Sequence, residues 1–229
     1  MVEWVNLTVI NDNKPNPPLL NDWGWSVLVE TDQWTLLYDA DTESRIMENN
    51  INVLGINLSK VDAAFLSHYH RDHYGGFEYI GKVRSGLIVY VPETDKVLTK
   101  WGLTPVTVNS PREILKDAVT TGTMRGMGIN EHSLVVKLSN YGSVVIVGCS
   151  HPGIDNIVRK VHEMFGNIYL VIGGFHEPSR RQLDVVAEYS RYICPAHCSG
   201  DKARNYVKSN YSNKYCNVKT GISTKLPAL

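Results

Sequence analysis

Four side chains that commonly ligate metals fall within six residues of this chain: His68, His70, Asp72 and His73. They follow an apolar run, residues 61–66, which predicts a buried strand. If the chain stays extended beyond that run, His68 and His70 point to the same face, because side chains alternate along a strand. Imidazoles combined with a hard carboxylate are typical of hydrolytic metal sites. The segment therefore predicts a site for one or two divalent cations.

The alternative for any single histidine is an ordinary surface or core role, and only the clustering of four ligand types argues against it. Gly75 and Gly76 follow the cluster, and glycine lets the backbone turn sharply. Such a turn could direct Asp72 and His73 toward a second, neighbouring cation.

Composition limits the classes of protein that need to be considered. With 229 residues, the chain is expected to form one domain spanning 1–229. Lysine plus arginine equals aspartate plus glutamate at 23 each, so no net field favours nucleic acid or an anionic membrane surface. No apolar run approaches the roughly 20 residues that span a bilayer, and residues 1–4 lack the pattern of a secretory signal. We expect a cytoplasmic protein with a small-molecule substrate, and homo-oligomerisation is left open.

The four cysteines are few and unevenly spaced for a disulfide framework: Cys149, Cys194, Cys198 and Cys216. No second pair accompanies Cys194 and Cys198 to form a structural zinc site, so we expect reduced thiols. A crosslink between Cys194 and Cys198 is the alternative.

Paired strands with intervening helices predict an α+β fold of two sheets covered by helices. The predicted strands are residues 5–10, 25–30, 34–39, 61–66, 85–91, 133–138, 143–147, 168–172, 192–194 and 218–225. The predicted helices are residues 42–50, 93–100, 155–165 with Asp155 as the cap and Gly166 as the stop, 181–191, and one beginning near 201. Residues 106–127 show no strong periodicity, and the polar, proline-rich loop 11–18 is placed near the site.

The spacing His68-x-His70-x-Asp72-His73 resembles the signature of the metallo-β-lactamase superfamily. The resemblance extends over nearly the whole chain and includes Asp39 at a strand end. It implies a four-layer αββα sandwich with metals at one edge of the two sheets. Residues 147–154, 172–176 and 197–200 are similar to the dihydropteroate-synthase-like branch, which includes enzymes of methanopterin-type cofactor synthesis.

The resemblance implies two divalent metal ions, with zinc favoured and manganese or iron as alternatives. The first would be held by His68, His70 and His151, and the second by Asp72, His73 and His197. Asp39 would orient a ligating imidazole. Many two-metal members carry a bridging aspartate where this chain has Cys149, so Cys149 is either a thiolate ligand or a packed, inert thiol.

Other polar residues receive separate interpretations. Asp72 could accept a proton while it remains a ligand. His176, after two glycines, is a candidate substrate contact, and the alternative is that it simply caps the strand. His132 is assigned a structural or surface role, and His162 is expected to be solvated. The helix near residue 201 could form an anion site, with Lys202, Arg204 or Arg180 as local countercharges. The alternative for each of these three cations is a solvated surface charge.

We therefore expect a metal-dependent hydrolase of a small phosphorylated or ester-containing metabolite, acting through water activated between two metals. The alternative is a transferase that joins a dihydropterin methyl diphosphate to an aminobenzene ribofuranosyl phosphate. A non-catalytic metal or metabolite sensor is the third hypothesis, and no basic nucleic-acid-binding extension supports it.

Overall fold

The computed structural model describes residues 1–227 and shows mixed α and β structure. The helices are α1 (Ser44–Val53), α2 (Arg71–Tyr74), α3 (Phe77–Val83), α4 (Val97–Lys100), α5 (Ile154–Phe165), α6 (Arg180–Tyr189) and α7 (Gly200–Asn210). The strands are β1 (Val5–Asn11), β2 (Ser26–Thr31), β3 (Thr35–Tyr38), β4 (Ala63–Phe65), β5 (Ile88–Val91), β6 (Thr104–Thr107), β7 (Arg112–Leu115), β8 (Ala118–Thr120), β9 (Met124–Gly126), β10 (Ile129–Glu131), β11 (Leu134–Leu138), β12 (Gly142–Val147), β13 (Ile168–Gly174), β14 (Ser190–Ala196) and β15 (Ser223–Leu226).

Two large sheets make up the centre of the molecule. The first has the strand order β15-β1-β2-β3-β4-β5-β6, and the second has the order β14-β13-β12-β11-β8-β7. Strands β3 to β6 pair in parallel in the first sheet, as do β12 to β14 in the second. A separate hairpin is formed by β9 and β10.

Three apolar cores separate four layers, as expected for an αββα sandwich. Val27 of the first sheet and Ile146 of the second share the central core. One outer core packs α1 and α3 against the first sheet, and the other packs α5, α6 and α7 against the second. Alternation along the strands sends successive side chains into the central core or an outer core. The prediction of two helix-covered sheets is confirmed.

Several local predictions differ from the structure. The strand before the histidine cluster ends at Phe65, so the extended continuation into the cluster is wrong. The cap of α5 is Gly153, with φ at 97°, and Asp155 lies in the first turn. Residues 106–127, which lack periodicity, contain the short strands β7, β8 and β9, and α3 was not predicted.

The prediction that all cysteines are reduced is wrong for one pair. Cys194 and Cys216 form a disulfide, whereas Cys149 and Cys198 are free and buried. The alternative Cys194–Cys198 crosslink is also wrong. Cysteine spacing does not specify connectivity, and here the partner lies 22 residues away along the chain. No helix within residues 1–227 is long and apolar enough to cross a bilayer.

Candidate metal centre

The first predicted ligand triad is assembled from both sheets. His68 and His70 follow β4 of the first sheet, and His151 follows β12 of the second. Their ring centroids lie 4.7 Å apart for His68 and His70, 4.7 Å for His68 and His151, and 4.9 Å for His70 and His151. The irregular backbone after Phe65 therefore still brings the two motif imidazoles together.

The second predicted triad lies beside the first. Asp72 and His73 are on the short helix α2, and His197 follows β14. One carboxylate oxygen of Asp72, Oδ2, lies 3.2 Å from Nε2 of His197 and 3.7 Å from Nε2 of His73. These three side chains can offer their ligand atoms to a common point.

Cys149 lies between the two triads. Its Sγ is 3.2 Å from Nε2 of His73. Potential ligand atoms of Cys149, Asp72, His73 and His197 all lie within 4.8 Å of one another, and the same holds for Cys149, His68 and His151. Cys149 is therefore close to both groups.

Asp39 holds the segment that carries the histidine cluster through hydrogen bonds to Ser67 and His73. It is fully buried, and its Oδ2 accepts a hydrogen bond from Nδ1 of His73 at 2.6 Å. Its two oxygens also accept the backbone N–H and the hydroxyl of Ser67, both at 2.7 Å. The Ser67 oxygen then lies 3.0 Å from Nδ1 of His68. The expectation that Asp39 orients an imidazole agrees with this geometry.

Glu131 plays the corresponding part for His151 and was missed in the sequence. Its side chain is buried, and Oε2 accepts from Nδ1 of His151 at 2.7 Å. The same carboxylate accepts the backbone N–H groups of Cys149, Ser150 and His151 at 2.8 to 2.9 Å. These hydrogen bonds fix the turn after β12 and, although burial opposes ionisation, they lower the pKa of Glu131.

His197 is held by the loop that follows β1. Oδ1 of Asn13 lies 3.0 Å from Nδ1 of His197, and the backbone N–H of His197 donates to Asp12 at 2.6 Å. Asp12 is in turn paired with Arg204 at 3.1 Å, and both are buried. Arg204 is therefore engaged in the scaffold, and its role as a countercharge for substrate is wrong.

The orientation of the rings tests whether the residues fit a metal. With Nδ1 held in His68, His73, His151 and His197, the Nε2 atoms are left to face the centre. Nε2 of His68 is buried without a hydrogen-bond partner among residues 1–227. A buried polar atom without a partner is costly, and a cation would satisfy it. The donor set, imidazole nitrogens with a carboxylate, fits a divalent metal.

The pKa shifts describe the electrostatics of this centre. Burial, followed by the neighbouring imidazoles, lowers the pKa of His68 well below its usual value, so its ring is neutral and suited to ligation. Burial opposes the charge of His73, but the contact with Asp39 raises its pKa to about 9. Hydrogen bonding to His197 holds the pKa of Asp72 well below its usual range despite burial. Asp39 and, to a smaller extent, Asp72 thus favour positive charge on His73.

His176 lies at the rim of the centre. Its ring centroid is 4.7 Å from that of His151, and its φ of 52° is unusual for a residue with a side chain. It also lies in a group with Cys149 and Cys198, whose potential ligand atoms are all within 4.8 Å. A hydrogen bond with Cys198 raises the pKa of His176. The structure therefore brings His176, the predicted substrate contact, next to the ligand triad that contains His151.

Trp23 is an aromatic residue at the site that the sequence reasoning did not single out. Its side chain is 57% exposed, yet Nε1 donates to Oδ2 of Asp72 at 3.0 Å. Its ring centroid lies 5.1 Å from that of His197. An exposed indole beside metal-ligand types is available to contact a substrate.

The two remaining histidines lie apart from the centre. His132 is buried, stacks on Phe65 with ring centroids 3.9 Å apart, and bonds to the carbonyl of Leu66 and to Thr120. Its structural assignment agrees with this environment. His162 is not simply solvated, because its ring packs 4.7 Å from that of Tyr189.

Sequence comparison matches residues 24–158, more than half of the chain, to the metallo-beta-lactamase superfamily. The chain belongs to this superfamily. As a metallo-beta-lactamase superfamily member, it is 24% identical to the 7,8-dihydropterin-6-methyl-4-(beta-D-ribofuranosyl)-aminobenzene-5'-phosphate synthase of Methanocaldococcus jannaschii, over 90% of each chain. The predicted superfamily is confirmed, and the similarity to this synthase agrees with the predicted narrower resemblance.

Solved structures of other proteins have the same fold. A structure described as a metal-dependent hydrolase of the beta-lactamase superfamily superposes with a TM-score of 0.79 and 25% identity, covering 96% of this chain and 98% of the other. A diphosphatase from the PhnP family superposes with a TM-score of 0.70 at 15% identity, covering 99% and 98%. The second likeness shows the fold alone. The predicted αββα sandwich is confirmed for this superfamily member.

Proposed function

We propose that the protein is a metal-dependent hydrolase of a small phosphorylated or ester-containing metabolite. The proposal rests on the convergence of two ligand triads on one edge of the sandwich. In four of their imidazoles, Nδ1 is held by a neighbouring side chain, so Nε2 is left to bind a metal. His68, His70 and His151 hold one divalent cation, and Asp72, His73 and His197 hold the other. The 25% identical metal-dependent hydrolase supports the reaction class.

Two cations at such a centre, when bound, supply an activated water and stabilise charge on a phosphoryl or carbonyl oxygen. Zinc suits the imidazole-rich set best, and manganese or iron are alternatives. Among the protein groups, Asp72 stays ionised because hydrogen bonding to His197 holds its pKa low, which suits a metal ligand. Its second proposed role is to accept a proton. His176, with its raised pKa, faces the same edge and contacts an anionic substrate oxygen.

Of the three predicted countercharges, Arg204 is paired with Asp12 and buried, and Arg180 is exposed with its guanidinium 5.7 Å from the centroid of the Tyr206 ring. Lys202, at the start of α7, lines a cleft of 380 Å³ and is the candidate that we favour. Glu177 and Asp201 line the same cleft, so its charge is mixed.

The test is hydrolysis by protein that has been stripped of metal and reloaded with Zn²⁺, Mn²⁺ or Fe²⁺. Model phosphodiesters, phosphomonoesters and carboxylic esters serve as substrates. We expect turnover that disappears on chelation and is absent in His70→Ala, whereas His162→Ala, a change at a histidine away from the centre, remains active. Failure of every metal and substrate combination would overturn the hydrolase proposal.

A second candidate function is the transferase reaction, and the synthase from Methanocaldococcus jannaschii favours it because the similarity covers 90% of both chains. In this reaction the centre would stabilise a departing diphosphate rather than activate water. The two functions separate in one assay that supplies a dihydropterin methyl diphosphate with and without the arylamine ribofuranosyl phosphate. Diphosphate release that requires the arylamine supports the transferase, and release without it supports hydrolysis.

A further inference from the structure

We infer that the thiolate of Cys149 bridges the two cations of this centre, in the position where a carboxylate would serve in a purely oxygen-bridged site. The inference rests on the proposed two-metal function and adds a seventh ligand, of a different chemical type, to it. It also predicts which metals the centre prefers.

The position of the sulfur atom is the first argument. A bridging ligand must reach both cations, and Cys149 is the residue that occurs in both ligand groups within residues 1–227. It lies within 4.8 Å of the ligand atoms of the Asp72 group and of the His68 group alike. The distance of 3.2 Å from Sγ to Nε2 of His73 places the sulfur among the atoms that face the centre.

The surroundings of Cys149 are the second argument, because they differ from those of an apolar core thiol. The side chain is only 4% exposed, yet it belongs to none of the three apolar cores of the described chain, whereas Cys194 belongs to the central core. Its sulfur lies 3.2 Å from Nε2 of His73 and within 4.8 Å of the sulfur of Cys198. A thiol kept for packing alone would be expected among aliphatic side chains.

The backbone at Cys149 is held in place independently of apolar packing. Its N–H donates to the buried carboxylate of Glu131 at 2.9 Å, the same group that orients His151. The preceding residue, Gly148, allows a close approach, since a Cβ there would lie 2.2 Å from Oγ of Ser67. The backbone at the end of β12 therefore packs closely against Ser67, and the side chain of the next residue, Cys149, lies near ligands of both triads.

Cys198 is the competing thiol. Its Sγ lies 3.7 Å from the carbonyl oxygen of Cys149, and it groups with His176 rather than with either triad. The potential ligand atom of Cys198 is grouped with those of Cys149 and His176 alone, whereas Cys149 is also grouped with ligands of both triads. Cations held by the two triads would favour the thiolate of Cys149, because a metal stabilises a deprotonated sulfur directly. We therefore assign Cys198 to the support of Cys149 and His176, outside the metal coordination.

A bridging thiolate changes metal preference. Thiolate is a soft ligand that suits zinc and iron, whereas carboxylate, carbonyl and water suit manganese and magnesium. The centre should therefore discriminate between Zn²⁺ and Mn²⁺ more strongly than the same centre with an oxygen bridge.

The experiment uses the full chain loaded with Co²⁺, whose bonds to thiolate give a charge-transfer band in the near ultraviolet. We expect two Co²⁺ per chain and a charge-transfer band in the wild type. Cys149→Ser should lose the band while keeping the visible bands of Co²⁺ bound to imidazole, and the matched control Cys198→Ser should keep both. Persistence of the band in Cys149→Ser, or its loss only in Cys198→Ser, would overturn the assignment.

A carboxylate variant gives a second, independent readout. Cys149→Asp should restore a bridge of the oxygen type, and the ratio of Zn²⁺ to Mn²⁺ affinity should fall by roughly tenfold or more. Circular dichroism establishes that each variant folds, and an unchanged ratio in a folded Cys149→Asp protein counts against the inference. Wild-type protein that hydrolyses substrate with two metals but shows no thiolate band removes this inference and leaves the proposed function standing. Wild-type protein that binds no metal overturns both.

Discussion

Glu131 and His151 lie 2.7 Å apart, from Oε2 to Nδ1, although one ends β10 and the other follows β12. The same carboxylate holds three consecutive backbone N–H groups, from Cys149 to His151. One buried side chain therefore positions a predicted metal ligand and the turn that carries it.

Glu131→Gln should weaken metal binding at the first triad. The amide keeps the size of the side chain but replaces one acceptor oxygen with a donor, so at least one N–H group loses its partner. Changes to groups that orient metal ligands typically reduce affinity by about 10- to 100-fold. Competition with a chromophoric chelator measures the effect, and Glu188→Gln, at an exposed position, is the control. Equal affinities in the two variants would remove this role from Glu131.

His70→Ala should remove one metal equivalent and all measurable hydrolysis. The His70 ring belongs to the first triad, and it is exposed, so the change leaves the apolar cores untouched. Metal content by mass spectrometry and turnover should fall together. His151→Ala is the stricter test of the assignment. If that variant still binds two metals, another residue must be the third ligand of the first metal.

His132 should make stability depend on pH. Burial lowers its pKa to about 3, compared with about 6.5 in an unfolded chain. The unfolded state therefore binds a proton that the folded state excludes, and stability is lost as the pH falls from 6.5 toward 3. Between pH 7 and pH 5 the wild type should lose about 2 kcal/mol more of its free energy of unfolding than His132→Gln does.

Urea unfolding of metal-free wild type and His132→Gln at both pH values makes this comparison. Metal binding by the folded variant should match that of the wild type, because His132 bonds to Leu66 and Thr120 rather than to a proposed ligand. Parallel pH dependence in the two proteins would contradict a buried, neutral His132.

Trp23→Phe should impair substrate binding more than folding. The change keeps an aromatic ring but deletes the N–H that donates to Asp72. Because the indole is exposed beside His197, we expect KM to rise several-fold and the free energy of unfolding to change by less than about 0.5 kcal/mol. Trp4→Phe is the control, since Trp4 precedes β1 and contacts Lys225. Identical KM values for the two variants would exclude a substrate contact by Trp23.

The sequence predicts the parts of this site whose residues lie close together in the chain. His68, His70, Asp72 and His73 are recognisable because four ligand types occur within six residues. His151 and His197 could be added because each follows a predicted strand and matches a segment of the resembled family. Alternation and apolar runs likewise predict the two sheets and most helices.

The groups that orient the ligands could not be predicted in the same way. Asn13 meets His197 across 184 residues, and Glu131 meets His151 across 20, so neither pairing leaves a local pattern. Glu131 stands beside His132 in the sequence, yet the glutamate serves the centre and the histidine packs on Phe65. Residues 106–127 hold strands of only three or four residues, too short to show a period.

The proposed ligands come from both sheets: the segment after β4 belongs to one sheet, and the turns after β12 and β14 belong to the other. Cations held between them would fasten the two halves of the sandwich across an edge that hydrogen bonds between strands do not close. A ligand that binds only the folded state adds about 2.7 kcal/mol when its concentration is one hundred times its Kd. The stability of this protein in a cell would then depend on the supply of metal. Depletion of metal would weaken the contact between the two sheets as well as abolish activity.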